Sequence, residues 1–402
     1  MSGFIRSSAP HREILIRVAL IAFCLGLWFG TLYVFLVVLL VMAWLVDDGH
    51  KKIGSLLKEP LVRAIGIFCC LLLLGLLWAE TFPEGRHKWT KYLLLLIYIP
   101  FLSLLNQQRL PWAIGAAGAG FGLVLLSGLY AWLVEQQQGI PLFNMSYLTF
   151  SALLGIASIF LCCCACMSRN RIVQMLFFLL ALAFLYLQFQ QSARSFLLAT
   201  LATLMIVLMI YFRVSLRTLT QIAGFVLLVV IAFAYTSPVI SERWQQARLD
   251  FENIRLGQYN NSIGYRLALW DVGLQGIAEK PLLGHGTGMP EQYFDQVVVH
   301  YKNGIYANLP VFQQTSHYHN DWIEIGMHLG IVGMASLMYL LWAWYGALAQ
   351  ARLSLPAVAM VSFVFFSGLT ETFLLFARMP VFLLVITALA VSWQRLRLNP
   401  VA

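Results

Sequence analysis

Charged residues are scarce in this chain. Asp, Glu, Lys and Arg make up 11% of its 402 residues, whereas about 25% is usual in soluble globular domains. Hydrophobic residues make up 60%, and the mean hydropathy is +0.79. Repeated apolar runs of roughly 16–25 residues therefore indicate an all-α polytopic membrane protein. The net charge of +9 does not indicate nucleic-acid binding, because most Lys and Arg residues fall in short loops, where they set topology.

Other features are missing as well. No small-x-small cleavage site ends the first apolar run, so we predict an uncleaved first helix. None of the seven cysteines lies in a polar stretch, and we interpret them as small apolar fillers. No histidine or carboxylate accompanies the cluster at 162–166, which argues against a zinc site there. We also find no internal repeat of the kind that transporters often show.

Twelve apolar runs are predicted to be membrane-spanning helices. The first two of these runs nearly join. We predict transmembrane helices 1–9 within residues 1–236, one large periplasmic loop domain at 237–318, and helices 10–12 within 319–402. The predicted spans are 14–29, 31–46, 61–79, 90–105, 112–134, 148–167, 171–189, 195–212, 219–236, 322–346, 356–374 and 377–394.

The short loops carry their positive charge mainly on one side. If the N-terminus is cytoplasmic, thirteen Lys and Arg residues lie inside and four outside. This bias predicts that both termini are cytoplasmic and that residues 237–318 face outward. The inner thirteen are Arg6, Arg12, Lys51, Lys52, Lys58, Arg109, Arg169, Arg171, Arg213, Arg217, Arg352, Arg395 and Arg397, and the outer four are Arg86, Lys88, Arg194 and Arg378.

The outward segment has its own helical pattern. Residues 237–258 suit an amphipathic helix on the membrane surface. Ser262 is a candidate N-cap for a second helix, which Lys280-Pro281 ends. A glycine-rich turn with exposed backbone N–H groups follows at 284–288, and it contains His285.

Five of the eight histidines fall between residues 285 and 328. For each one alone a structural role is the simpler reading, but together they occupy the segment where chemistry outside the membrane can occur. His317 and His319 directly precede the tenth span, and Asn320 or Asp321 can cap its helix. Metal binding is only weakly indicated, because two residues of separation would make the two imidazoles diverge on a helix, although an extended stretch would put them on one side.

Arg194 lies at the outer end of the eighth span, where the charge bias does not favour arginine. It either reaches lipid headgroups or binds an anionic ligand. Arg266 lies on a helix of the outward segment, where arginines are ordinary. Glu371 lies near the outer end of the eleventh span, and its simplest role is to pair with an arginine. Together these residues suggest a cationic pocket beside a histidine, suited to a lipid diphosphate.

These residues resemble motifs of the O-antigen ligase and polymerase superfamily of bacterial membrane glycosyltransferases. His319-Asn320, nine further residues, and Gly330-Ile331-Val332-Gly333 resemble the family's signature after its large loop. Ser192-Ala193-Arg194 resembles its Ser-x-Arg motif, although Ser195 follows where many relatives have glycine. Arg266, Trp270 and the turn from Pro281 to Gly286 resemble its loop motif.

The resemblance implies a GT-C-like fold and a bacterial inner-membrane location, with the active site facing the periplasm. It implies that His319 is the base and that Arg194 and Arg266 bind the diphosphate of an undecaprenyl-linked O-antigen. His317, Asn320, Glu371, Trp270 and His285 would support them, and no metal or other cofactor is expected. The expected acceptor is a sugar of lipid A–core, and membrane lipids surround the chain.

Three alternatives remain open at this stage. A polymerase of the same superfamily is one, although polymerases often carry two large loops. A branch that glycosylates proteins is another, although its members usually carry added C-terminal sequence. A lipid or glycan transporter is the third. Transporters bind their substrates near the midplane of the membrane, whereas the unusual charged residues of this chain lie at the outer membrane edge.

Overall fold

The computed structural model describes residues 2–30, 32–80, 87–135, 142–191, 193–215, 217–218, 220–221, 224, 238–312, 317–376 and 378–398. Within these ranges the regular secondary structure is helical. The α-helices are α1 (Ser2–Gly26), α2 (Tyr33–Val46), α3 (Ile53–Leu56), α4 (Pro60–Leu74), α5 (Tyr98–Leu104), α6 (Leu110–Leu133), α7 (Tyr147–Met167), α8 (Arg171–Phe189), α9 (Arg194–Phe212), α10 (Pro238–Arg255), α11 (Ser262–Glu279), α12 (Pro290–Val297), α13 (Leu309–Phe312), α14 (Asp321–Gln350), α15 (Ser354–Thr370) and α16 (Arg378–Leu398).

The prediction of an all-α membrane protein is confirmed in its general form. Among the described residues, seven helices are long and apolar enough to cross a membrane, or eight if the bent pair formed by α2 and Gly49–Leu56 is one span. The number twelve and the side of each loop stay predictions. The ninth predicted span, 219–236, lies almost entirely outside the described residues.

Helix ends follow the capping chemistry of the sequence, with one change. Asn261, rather than Ser262, caps α11, because its extended backbone lets the side-chain oxygen accept from the Gly264 N–H at 2.8 Å. Asn320 caps α14 by accepting from the N–H groups of Trp322 and Ile323 at 2.9 and 3.1 Å. Each cap contributes about 1 kcal/mol to helix stability.

Packing brings several helix ends to one place. Helix α14 packs along α4 and α15, α15 packs against α9, and α11 packs against α14. The start of α9, the start of α14 and the end of α15 therefore lie near each other, and α11 covers them.

The segment 238–312 contributes a small apolar core of its own. Tyr265, Leu269 and Phe294 are buried together with Tyr318, which directly precedes His319. The Tyr318 hydroxyl donates to the Pro290 carbonyl oxygen at 2.9 Å. The segment is thereby docked onto the start of α14 by apolar burial and a hydrogen bond.

Candidate active site

Glu371 lies at the centre of the site and has no exposed surface. Its Oε2 lies 2.7 Å from His319 Nδ1, and its Oε1 accepts a hydrogen bond from the Arg266 guanidinium. The Ser195 hydroxyl lies 3.5 Å from the same Oε1. The carboxylate therefore joins α9, α11, the residue before the α14 cap, and the end of α15.

The surroundings of Glu371 keep it ionised. Burial alone would favour the neutral carboxyl, but the hydrogen bond from His319 and the paired Arg266 guanidinium favour the carboxylate. An ionised carboxylate only accepts hydrogen bonds, so His319 Nδ1 carries a hydrogen and donates it. In the neutral imidazole the lone pair is then on Nε2, which is the arrangement that a general base requires.

The backbone of His319 is held in an uncommon conformation, with φ of 48°. Its neighbours are fixed on both sides. Trp270 Nε1 donates to the Tyr318 carbonyl oxygen at 3.0 Å, and the Tyr318 N–H donates to Glu324 at 2.8 Å. Asn320 Nδ2 donates to the Leu369 carbonyl oxygen at 3.0 Å. Such over-determined backbone strain is typical of functional sites.

His317 lies against His319, with ring centroids 4.1 Å apart. Burial lowers the pKa of His317 to about 4, and the charge of His319 contributes to the shift. His317 is therefore neutral near pH 7. Together, His317, His319 and Glu371 offer three ligand atoms within 4.8 Å of one another, a group that can hold a metal ion. The sequence indicated metal binding by His317 and His319 only weakly, and it assigned Glu371 to an arginine rather than to this group.

Arg194 is the first residue of α9 and is exposed. It is next to Ser195, which contacts Glu371, so the start of α9 lies beside the centre of the site. Within the described part of the chain, its side chain has no hydrogen bond or ion pair, and its guanidinium is free to meet a ligand. Ser192 of the same motif lies outside the described residues.

Helix α14 is interrupted at Gly330, which has φ of 61° and ψ of −150°. The N–H groups of Ile331 and Val332 donate to the carbonyl oxygens of Pro281 and Leu282, at 2.8 and 3.4 Å. The turn after α11 thus takes the place of the missing helical acceptors. The sequence indicated Gly330 only as a motif position. In the structure it is the residue at which α14 is interrupted and the turn forms hydrogen bonds with the helix.

The expectation of exposed N–H groups in the 284–288 turn was wrong, because these groups are already used. Two of them satisfy carbonyl oxygens freed by the break in α14, so the turn holds the helix rather than an anion. His285 Nε2 lies 2.8 Å from the Gly276 carbonyl oxygen, and its ring packs on Tyr293. The turn's N–H groups donate from Gly284 to Lys280 O, from His285 to Met327 O, from Gly286 to His328 O, from Thr287 to Gly75 O, and from Gly288 to His328 Nδ1.

Gly330→Ala should destabilise the protein. The Gly330 backbone occupies a region essentially restricted to glycine, where another residue costs about 1–3 kcal/mol. An added Cβ would also lie 2.5 Å from the Leu282 carbonyl. We expect a lower melting temperature in detergent. Gly346→Ala on the same helix is the control, since a Cβ there meets nothing within 4 Å. Equal melting temperatures for the two variants would contradict the role of the break.

Two residues of the site were missed at the level of sequence. Ser195 was noted only as a departure from the family motif, yet it approaches Glu371. Glu324, in the first turns of the tenth predicted span, was given no role, yet it accepts a hydrogen bond from the Tyr318 N–H and lies 3.4 Å from His328 Nε2. Its spacing of four residues from His328 places both on one helix face and was the available signal.

Comparison with known proteins gives one match. A family model described as O-antigen ligase matches residues 150–338, a range that contains Arg194, Arg266 and His319. No curated protein matches the chain. The matched range also includes the whole segment 238–312, which covers the site, and the start of α14. Residues 150–338 of the chain are therefore similar to the O-antigen ligase family.

Proposed function

We propose that this protein is an O-antigen ligase that transfers glycan from undecaprenyl diphosphate to a sugar hydroxyl of lipid A–core. The observation that supports this most is the Arg266–Glu371–His319 array, in which one buried carboxylate holds both a cation and an imidazole. The reaction needs both groups, because a hydroxyl must lose a proton while a diphosphate departs.

The two arginines supply the anion site of the proposal. Arg194 is exposed, and Arg266 keeps 30% of its side-chain surface exposed although it pairs with Glu371. A guanidinium has five N–H donors, so Arg266 can bind Glu371 and a phosphate oxygen together. Two guanidinium groups stabilise the negative charge that develops on the leaving diphosphate.

His319 acts as the general base in this scheme. Its Nε2 takes the proton of the acceptor hydroxyl as that oxygen forms a bond to the anomeric carbon. The bond from the anomeric carbon to the phosphate oxygen breaks, and its electron pair leaves with undecaprenyl diphosphate. A single displacement inverts the anomeric configuration. Glu371 then stabilises the imidazolium, as the carboxylate of a serine-protease triad does.

The proposed location is the inner membrane of a bacterium. Both termini would be cytoplasmic, residues 237–318 would form the periplasmic loop domain, and the site would face the periplasm. Scarcity of Lys and Arg in the outer short loops supports this orientation. An accessibility assay on cysteines introduced at exposed positions such as Asn303 and Arg352 would test it, since they should label from opposite sides.

A reconstituted assay tests the activity itself. Purified protein receives undecaprenyl-diphosphate glycan with or without lipid A–core, and the products are separated by size. Glycan attached to lipid A–core supports the ligase. Longer glycan chains from donor alone would instead show a polymerase. Movement of intact donor across a vesicle membrane without any new bond would show a transporter.

Arg194→Lys should impair transfer although it keeps the charge. Lysine cannot offer the paired, planar donors of a guanidinium, and loss of one hydrogen bond to a charged group costs about 1.5–3 kcal/mol, or roughly 10- to 100-fold in kcat/KM. Arg213→Lys, an exposed site at the other end of α9, is the control. Wild-type kcat/KM in Arg194→Lys would remove this arginine from the anion site.

Transfer should persist in EDTA. The two guanidinium groups take the charge-neutralising role that a divalent ion often plays for a departing diphosphate. Initial rates with EDTA and with added Mg²⁺ should agree within about twofold, a difference that corresponds to less than 0.5 kcal/mol. A strict requirement for Mg²⁺ would overturn the metal-independent scheme.

A further inference from the structure

Two imidazoles and one carboxylate converge in the site. Ligand atoms of His317, His319 and Glu371 lie within 4.8 Å of one another. Glu371 has no exposed surface, and only 9% of His317 is exposed. Two histidines and a glutamate form one of the donor sets that bind catalytic zinc, in which a fourth position stays open. The cluster is thus enclosed and chemically suited to one class of ion.

We propose that His317, His319 and Glu371 form a binding site for a divalent transition-metal ion of the zinc class, and that the bound ion inhibits transfer. Metal binding follows from the cluster alone. The inhibitory effect rests on the proposed function, because it requires His319 to be the base.

The donor atoms select the ion. Mg²⁺ and Ca²⁺ prefer sites built from oxygen ligands, whereas imidazole nitrogen suits zinc, copper and nickel. Ligand atoms around tetrahedral zinc are about 3.3 Å apart. The cluster therefore needs its atoms to approach by no more than about 1.5 Å, which ring rotations and small side-chain shifts can supply.

The carboxylate already has the outer partner that metal ligands usually have. Glu371 can keep Oε1 on Arg266 while Oε2, now 2.7 Å from His319 Nδ1, turns to the ion. Such outer hydrogen bonds orient a ligand and fix its charge. The positive charge of Arg266 opposes a dication, so we expect weaker binding than at a structural zinc site.

Inhibition follows because a neutral imidazole cannot bind a metal ion and act as a base at the same time. Neutral imidazole has one lone pair available, on whichever nitrogen lacks hydrogen. If the ion binds His319 Nε2, the base is occupied directly. If it binds Nδ1, the hydrogen resides on Nε2. In either case His319 cannot accept the proton of the acceptor hydroxyl.

Cobalt is the probe for the site, because its absorption reports the ligand atoms. Purified full-length protein without an affinity tag is titrated with Co²⁺. We expect visible d–d bands of a four- or five-coordinate ion without the near-ultraviolet thiolate band that binding to the cysteines would give. His317→Gln should weaken binding by at least the roughly 10- to 100-fold that loss of an outer partner costs, and exposed His300→Gln should not.

Folding and inhibition are measured on the same samples. Zn²⁺ should raise the melting temperature of the wild type and of His300→Gln, since a ligand stabilises the state that binds it. It should inhibit transfer, and EDTA should restore the rate. A Co²⁺ spectrum with a thiolate band would refute the proposed metal site. So would a folded His317→Gln variant that binds Co²⁺ as the wild type does. Metal-stimulated transfer would overturn inhibition. Complete absence of transfer would refute the proposed function, whereas the spectra would still test the site.

Discussion

His319→Ala is expected to lower the transfer rate by about 10²–10⁴-fold, the usual contribution of a general base. The reason is geometric. Glu371 accepts from Nδ1 at 2.7 Å, so Nε2 is the nitrogen that is free to take a proton. Alanine removes that nitrogen while the arginines remain. Substrate binding should therefore change less than kcat, and the amount of protein in the membrane should be unchanged.

The backbone of residue 319 requires a second variant. With φ of 48° the residue occupies the left-handed region, where asparagine and histidine occur more often than most residues. His319→Asn keeps this conformation but has no basic nitrogen, so it should be as inactive as alanine and melt like the wild type. His300→Ala is the control, because His300 is an exposed histidine of the segment 238–312. Wild-type transfer by His319→Asn would refute the assignment of the base.

The fold could be predicted well where apolar length decides the structure. Helices α6 to α9 and α14 to α16 coincide within a few residues with predicted spans, because a run of apolar residues long enough to cross lipid has few alternatives to a helix. The segment at 90–105 is less regular, since His87–Ile97 is a 3₁₀ helix and α5 is short. Local hydropathy does not distinguish these two helical forms.

The candidate site could be predicted only in part. Family resemblance indicated His319, Arg194 and Arg266, yet it gave no contact between them. Glu371 contacts both Arg266 and His319 because α15 packs against α9 and α14. No local sequence pattern indicates this packing. The use of the glycine-rich turn to fill the break at Gly330 is likewise tertiary, because its N–H groups look free in sequence and are satisfied only by α14.

Glu371→Gln is expected to reduce kcat by a factor comparable to the loss of the base. The carboxylate now accepts from Arg266 on one oxygen and from His319 on the other. Glutamine has one oxygen and one NH₂ group, so one of these partners must face a donor. If His319 Nδ1 faces the NH₂ group, Nδ1 must accept a hydrogen bond. The imidazole hydrogen then lies on Nε2, and His319 can no longer act as the base. If Arg266 instead turns away, the guanidinium that we propose binds the diphosphate loses its position.

A serine-protease triad gives the scale, since the corresponding carboxylate-to-amide change lowers kcat by about 10⁴ there. Loss of a buried charge partner also destabilises a fold by about 3–5 kcal/mol, so melting temperatures must accompany the rates. A purely structural role would lower the melting temperature and the amount of folded protein but leave kcat per folded molecule unchanged. Glu252→Gln, which breaks an exposed pair with Arg248, is the control and should leave both quantities unchanged. Wild-type kcat in folded Glu371→Gln would show that His319 does not need this carboxylate.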